Sequence, residues 1–311
     1  MNARVLKSTG HWYDVIGDDG QFYKCRVRGK LRTKGLQTTN PVAAGDFVVI
    51  SPSETDEEGV ASINEILPRK NYIIRKSVNL SKEAQIVAAN IDTAFLVVTI
   101  SKPATTKGFV DRFLVSAEAY DIPVVLLFHK MDQYNEQELD EVADWIGLYE
   151  DAGYKTLMTS LETKMGMDEL TEMMKDKVVL FSGNSGVGKS SLIQYFVPTR
   201  ELRIGDISDW SEKGQHTTTF AEVFPTVQGG WIIDTPGIKG FGLVDLSAED
   251  IPLYFKEMFA LLPDCKFNSC KHLEEPGCAV KKALQEGRIA ESRYQSYLSM
   301  LDDEKGKSPY R

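Results

Sequence analysis

Cysteine is scarce in this chain, with four among 311 residues. So few thiols exclude the dense disulfide framework that staples small secreted domains. No apolar run reaches the roughly eighteen residues a helix needs to cross a bilayer. The opening "MNARVLKSTG" has no basic start, apolar centre and small-residue cleavage site, so it does not read as a signal peptide. Both absences predict a cytoplasmic protein with no membrane partner. Internal repeats, low-complexity tracts and heptads are also missing, which makes a monomer the default expectation. Acidic residues are absent from positions 20–45, although the whole chain carries a net charge of -9. That stretch holds Lys24, Arg26, Arg28, Lys30, Arg32 and Lys34, so an acidic protein carries one locally basic segment.

A length of 311 residues with 42% hydrophobic content is too much for one ordinary core and predicts two or three domains. Up to about residue 68 the chain reads as five short strands broken by turn residues: "RVLKSTG", "HWYDVIG", "QFYKCRVRG", "GDFVVISP" and "GVASINEILPR". Five such strands in so short a span predict a small barrel of the OB type, residues 1–68. Buried-strand runs then alternate with helical stretches. "IDTAFLVVTI", "IPVVLLFHK", "YKTLMTS", "KVVLFSG" and "GWIIDTPG" are the strands, with "VDRFLVSAEAYD" and "EQELDEVADWIGLYEDAG" at helical spacing between them. Residues 69–245 are therefore expected to form an α/β domain with a largely parallel sheet. Residues 246–311 read as an acidic helical domain interrupted by cysteines.

The chemistry begins at "FSGNSGVGKSSL", residues 181–192, where G-x-x-x-x-G-K-S follows a strand and opens a helix. In that context loop N–H groups and the helix N-terminus point at phosphate oxygens. The expected phosphate contacts are Gly183, Asn184, Ser185, Gly186, Val187, Gly188, Lys189, Ser190 and Ser191. Lys189 would reach the β- and γ-phosphates, and the Ser190 hydroxyl would bind Mg²⁺. A later strand ends in "WIIDTPG", where Asp234 can hold Mg²⁺ through water and the Gly237 N–H can contact the γ-phosphate. Between them lies "GQHTTT", in which Thr218, preferred over Thr217, would complete the Mg²⁺ shell.

The base reader lies upstream of the phosphate loop. In "VVLLFHKMD" a buried strand delivers His129, Lys130, Met131 and Asp132. A lysine stem packs on guanine, and an aspartate two residues later accepts from guanine N1–H and its exocyclic amine. Adenine offers no such donor pair and would leave the carboxylate unpaired. "TSLE", residues 159–162, follows the next strand, and Ser160 and Leu161 can present a backbone amide to the guanine O6. The order of base reader, base support, phosphate loop and switches is a circular permutation of the usual arrangement. The position after D-T-P-G holds Ile238, which cannot orient an attacking water as glutamine does in many GTPases. Either hydrolysis is slow until a partner completes the site, or another polar residue substitutes. His216 is the candidate for positioning water, with capping or packing its loop as the alternative.

Cys265, Cys270, His272 and Cys278 form C-x4-C-x-H-x5-C. Four such ligands fill a tetrahedral Zn²⁺ shell and leave no open position, so one structural zinc is expected. In "YKCRVRG" the side chains at 24, 26 and 28 share one face of a strand, while Tyr23, Cys25 and Val27 face the other way. With Lys30, Arg32 and Lys34 they form the candidate RNA-backbone stripe. Trp12, Tyr13, Phe22 and Tyr23 are candidates either for base stacking or for core.

Taken in order, "HKMD", "GNSGVGKSS", "GQHTTT", "DTPG" and "CKFNSCKHLEEPGCAVKKAL" closely resemble the ribosome small-subunit-dependent GTPase A family, circularly permuted GTPases of the RsgA type, over nearly the whole chain. The resemblance implies an OB domain, a permuted G domain and a zinc domain, with the small ribosomal subunit and its rRNA as partner late in subunit maturation. That family usually has asparagine where this chain has His129. Base identity then rests with Lys130 and Asp132, and affinity becomes the open quantity. Two other readings stand beside a GTPase: a non-catalytic RNA-binding module gated by GTP, and an ATPase or small-molecule kinase using the same phosphate loop.

Overall fold

The computed structural model describes residues 1–27, 40–52, 59–76, 84–197, 220–235 and 246–306. They divide into two compact units, residues 1–95 with 167–239, and residues 96–166 with 240–311.

The first unit opens with a five-stranded barrel of OB type: β1 (Asn2–Ser8), β2 (Tyr13–Gly17), β3 (Phe22–Val27), β4 (Phe47–Ser51) and β5 (Ala61–Ile66). Antiparallel pairing joins β1 to β2, β2 to β3, β5 to β4 and β4 back to β1, and a parallel pair joins β3 to β5. The closed ring removes the open strand edges that short β-proteins must otherwise protect. Alternation of side chains places Ala3, Val5, Val15, Cys25, Val48, Ile50 and Ile63 in the barrel core. Beneath the barrel, Arg69 forks onto the buried Asp46 carboxylate at 2.7 Å through both Nε and Nη2.

A hairpin of β6 (Tyr72–Lys76) and β7 (Ala84–Ala89) follows, which the sequence pattern did not indicate. β8 (Thr93–Val98) is buried along its whole length, and with it the chain passes into the second unit. The remaining strands of the first unit are β11 (Val178–Gly183), β12 (Glu222–Pro225) and β13 (Trp231–Asp234). β11 and β13 are parallel. β12 is antiparallel to β13 and touches β1 at Lys7 and Glu222, which form an ion pair, so the sheet is mixed rather than uniformly parallel. α3 (Met167–Met174) precedes β11 and α4 (Lys189–Phe196) follows it.

In the second unit β9 (Val124–His129) and β10 (Lys155–Thr159) pair in parallel. They are flanked in sequence by α1 (Lys107–Ala119) and α2 (Glu136–Asp151). Asn135 and Glu138 form a reciprocal capping box that sets the start of α2. The C-terminal part contributes α5 (Lys256–Leu261), α6 (Ala279–Gln285) and α7 (Glu291–Gly306). Phe255, Met258, Val280, Tyr297, Met300 and the three clustered cysteines form its core, to which Val115 of α1 also belongs. Among the described residues no helix is long and apolar enough to cross a membrane.

Candidate nucleotide and metal sites

The phosphate loop is a tight turn between β11 and α4. Gly183, Gly186 and Gly188 have φ values of 141°, 84° and 107°, a region that disfavours any side chain. Val187 is buried beneath the loop and Ser185, Gly186, Ser190 and Ser191 are exposed. Lys189 folds back so that Nζ donates to the carbonyls of Gly183 (2.7 Å) and Asn184 (2.5 Å). Burial lowers its pKa, and the Asp234 carboxylate at the end of β13 partly opposes that shift. A cation and a row of N–H groups at a helix start form an anion cradle. His216, Thr217, Thr218, Gly237 and Ile238 lie outside the described residues, as do Arg28, Lys30, Arg32 and Lys34.

The residues expected to read the base sit at the ends of β9 and β10. Lys130 has φ 65°, which turns the chain sharply out of β9 into the short helical turn Met131–Gln133. Its Nζ donates to the Lys102 carbonyl at 3.0 Å. The Ser160 hydroxyl donates to Asp132 Oδ1 at 2.5 Å and accepts from the Thr163 N–H. The other carboxylate oxygen has no hydrogen-bond partner among the described residues. The Ser160 amide itself donates to the Met165 carbonyl, so of the two candidate amides it is already engaged. His129 is buried, and its Nδ1 lies 2.9 Å from Thr159 Oγ1, so the imidazole ties the end of β9 to the end of β10. Burial, with Lys130 next, lowers its pKa to about 4 and keeps it neutral. Tyr134 closes the turn by donating to the His129 carbonyl while accepting from the Ile100 N–H. The sequence pointed to Ser160 only for its backbone amide, and gave no signal for the hydroxyl roles of Thr159, Ser160 and Tyr134, because such residues are common at strand ends and only proximity gives these a role.

Cys265, Cys270, His272 and Cys278 are all buried, and one ligand atom from each lies within 4.8 Å of the others. His272 Nδ1 is 3.7 Å from Cys265 Sγ and 3.4 Å from Cys278 Sγ. Tetrahedral zinc with bonds of about 2.0–2.3 Å separates its ligands by a similar amount, so the donor set fits. Backbone N–H groups of Ala279 and Lys281 donate to Cys265 Sγ and Cys278 Sγ, each at 3.4 Å, as they would to thiolates. Burial pushes the Cys270 thiol up to about 12, and a bound metal ion would favour its thiolate form. The arrangement can hold one metal ion with four protein ligands.

On the barrel, Lys24 Nζ and Arg26 Cζ lie 4.4 and 3.8 Å from the Trp12 ring centroid. Of the aromatic candidates, Tyr13 is core, Phe22 is exposed, and Tyr23 is half-buried with its hydroxyl on Asp19. Cys25 is fully buried, as an inward strand residue.

These elements define a permuted P-loop guanine-nucleotide protein, preceded along the chain by a barrel and followed by a cluster of three cysteines and one histidine that can hold a metal. Residues 66–244 match the family model for the RsgA GTPase, and residues 2–61 match that for the RsgA N-terminal domain. The chain belongs to the RsgA GTPase family. It is 52% identical over 308 residues to a Bacteroides fragilis protein named small ribosomal subunit biogenesis GTPase RsgA, covering 99% of this chain and 98% of that one. A Flavobacterium psychrophilum protein of the same name is 51% identical, covering 98% and 94%. Among solved structures, YjeQ from Thermotoga maritima superposes with a TM-score of 0.78 at 34% identity, covering 99% of each chain. YloQ, described as a circularly permuted GTPase, gives 0.75 at 27% identity, covering 100% of this chain and 96% of that one.

Proposed function

We propose that this chain binds the small ribosomal subunit and hydrolyses GTP to GDP late in the maturation of that subunit, with nucleotide state gating its release. The observation that carries the base assignment is Asp132, held by the Ser160 hydroxyl with one carboxylate oxygen left for a ligand. Under this reading the loop from Gly183 to Ser191 and Lys189 bind the phosphates. Ser190 and Thr218 hold Mg²⁺, with Asp234 acting through water, and Gly237 senses the γ-phosphate. Lys130, Asp132 and Leu161 read guanine, with the Ser160 hydroxyl holding Asp132 and His129 bracing them. The domains are residues 1–68, 69–245 and 246–311. Zinc is the metal of the four-ligand cluster, because three thiolates and one imidazole in a closed shell suit it. Lys24, Arg26 and the basic residues that follow contact rRNA backbone, and the work is that of a monomer in the cytoplasm.

Hydrolysis needs a positioned water. With Ile238 after D-T-P-G, either the ribosomal particle completes the site or His216 positions the water. Loss of the γ-phosphate would then release the switch loops and weaken the complex. The test is steady-state GTP hydrolysis with Mg²⁺, with and without purified small subunits, using large subunits and ATP as controls. Stimulation by small subunits alone supports the reading. Ile238 is also the observation behind a second reading, a GTP-gated RNA-binding module without turnover. GTP binding with no hydrolysis on any particle would favour that alternative.

A further inference from the structure

Arg293 of α7 is buried, yet it is a full charge. Its Nε and Nη2 donate to the two carboxylate oxygens of Glu257 on α5 at 2.7 and 3.1 Å, and Nη1 donates to Asp111 Oδ1 on α1 at 2.8 Å. Tyr149 of α2 donates to the same Asp111 oxygen at 3.0 Å. Burial by itself lowers the guanidinium pKa, but Glu257 and Asp111 outweigh it and raise it above its ordinary value. Such a cluster is costly to break, because removing the cation strands two acids in a low-dielectric interior.

The same helix holds the metal loop. One residue beyond Arg293, the Tyr294 hydroxyl donates to the carbonyl of the ligand His272 at 2.6 Å, and Tyr297 donates to the Lys271 carbonyl at 2.5 Å. His272 sits at φ 56°, a strained conformation that needs such support. At the other end of the connection, α1 is entered from the segment that carries Lys102, whose carbonyl receives the base-reading Lys130. Thr106 caps α1 only four residues after Lys102. Hydrogen bonds, helices and the four-residue step from Lys102 to Thr106 thus link metal ligand to base reader.

We propose that the metal centre fastens the base-reading elements through α7, with Arg293 as the anchor, so that metal loading raises the affinity for guanine nucleotide. This rests on the reading of the cysteine cluster as a metal site. Metal loss would loosen the loop, free α7 and withdraw Arg293 from Asp111, and α1 with the segment before it would open. Among the described residues, none of these hydrogen bonds involves the phosphate loop between β11 and α4. Arg293 is a positioning residue in this scheme.

The experiment is amide hydrogen exchange on the full-length protein with and without a strong zinc chelator, alongside metal analysis and fluorescent-GDP titration. Chelation should speed exchange in α1 by about tenfold or more together with α6 and α7. Exchange in α4 should not change, and the GDP Kd should rise several-fold. Arg293→Lys, which loses the fork, should loosen α1 and weaken GDP binding while metal content stays at one per chain. Tyr294→Phe with Tyr297→Phe, which leaves the rings packed, should lower metal affinity. Exchange changes confined to residues 246–306, or an Arg293→Lys protein with normal α1 protection and GDP affinity, would overturn the coupling and leave the metal site standing. Protein that folds fully without metal would remove the metal reading itself.

Discussion

Ser160 Oγ donates to Asp132 Oδ1 across 2.5 Å, joining the turn after β10 to the turn after β9. Ser160→Ala would leave the carboxylate free to rotate. A charge-assisted hydrogen bond contributes about 1.5–3 kcal/mol, so the KM or Kd for guanine nucleotide should rise roughly tenfold or more. Turnover at saturation should hardly move, because the interaction is made in ground and transition states alike. Asp132→Asn should shift preference from GTP to xanthosine triphosphate, and a competition assay that still favours GTP would refute the assignment.

His129 predicts a pH dependence of stability. Its folded pKa is lowered to about 4, chiefly by burial, against about 6.5 in the unfolded chain. Between those values the unfolded state binds more protons, so stability is complete above about pH 6.5 and falls as the pH drops towards 4. The contribution is up to about 3 kcal/mol. Denaturant midpoints across this window should slope less in His129→Asn than in the parent, and identical slopes would exclude His129 as the cause.

Gly45 is required by its surroundings. It has φ 88°, and an added Cβ would lie 2.3 Å from the Ala89 carbonyl oxygen, which is backbone and cannot swing aside. Gly45→Ala should cost about 2 kcal/mol or more, read as a lower thermal midpoint. Gly20, at φ 75° in open space, should cost about 1 kcal/mol when changed to Ala.

The Trp12, Lys24 and Arg26 cluster predicts how RNA binding responds to salt. Charge reversal of Lys24 and Arg26 should weaken binding to single-stranded rRNA fragments and reduce the slope of log affinity against log salt by about 0.7 for each phosphate that is no longer neutralised. Trp12→Ala should lower affinity with little change in that slope, since stacking releases no counterions. Equal salt slopes in parent and reversal variant would exclude these two side chains from phosphate binding.

The phosphate loop was legible because its chemistry is local. Three glycines, a lysine and a serine act within nine residues, and the strand before them and the helix after them carry their own periodic signals. The five barrel strands were legible for the same reason, through alternation and turn residues, and the buried cluster of three cysteines and one histidine through the spacing of its members. The hairpin β6–β7, β12 and α3 were not, because short segments carry too little pattern to outweigh their context. Nor did the sequence show that Thr159 meets His129, that Ser160 holds Asp132, or that Arg293 pairs with Asp111, 182 positions away. Residue type and spacing along the chain carried the expectation of what this protein binds. Which hydroxyl braces the base reader, and which buried cation joins it to the metal loop, depended on interactions that exist only once distant strands and helices have packed.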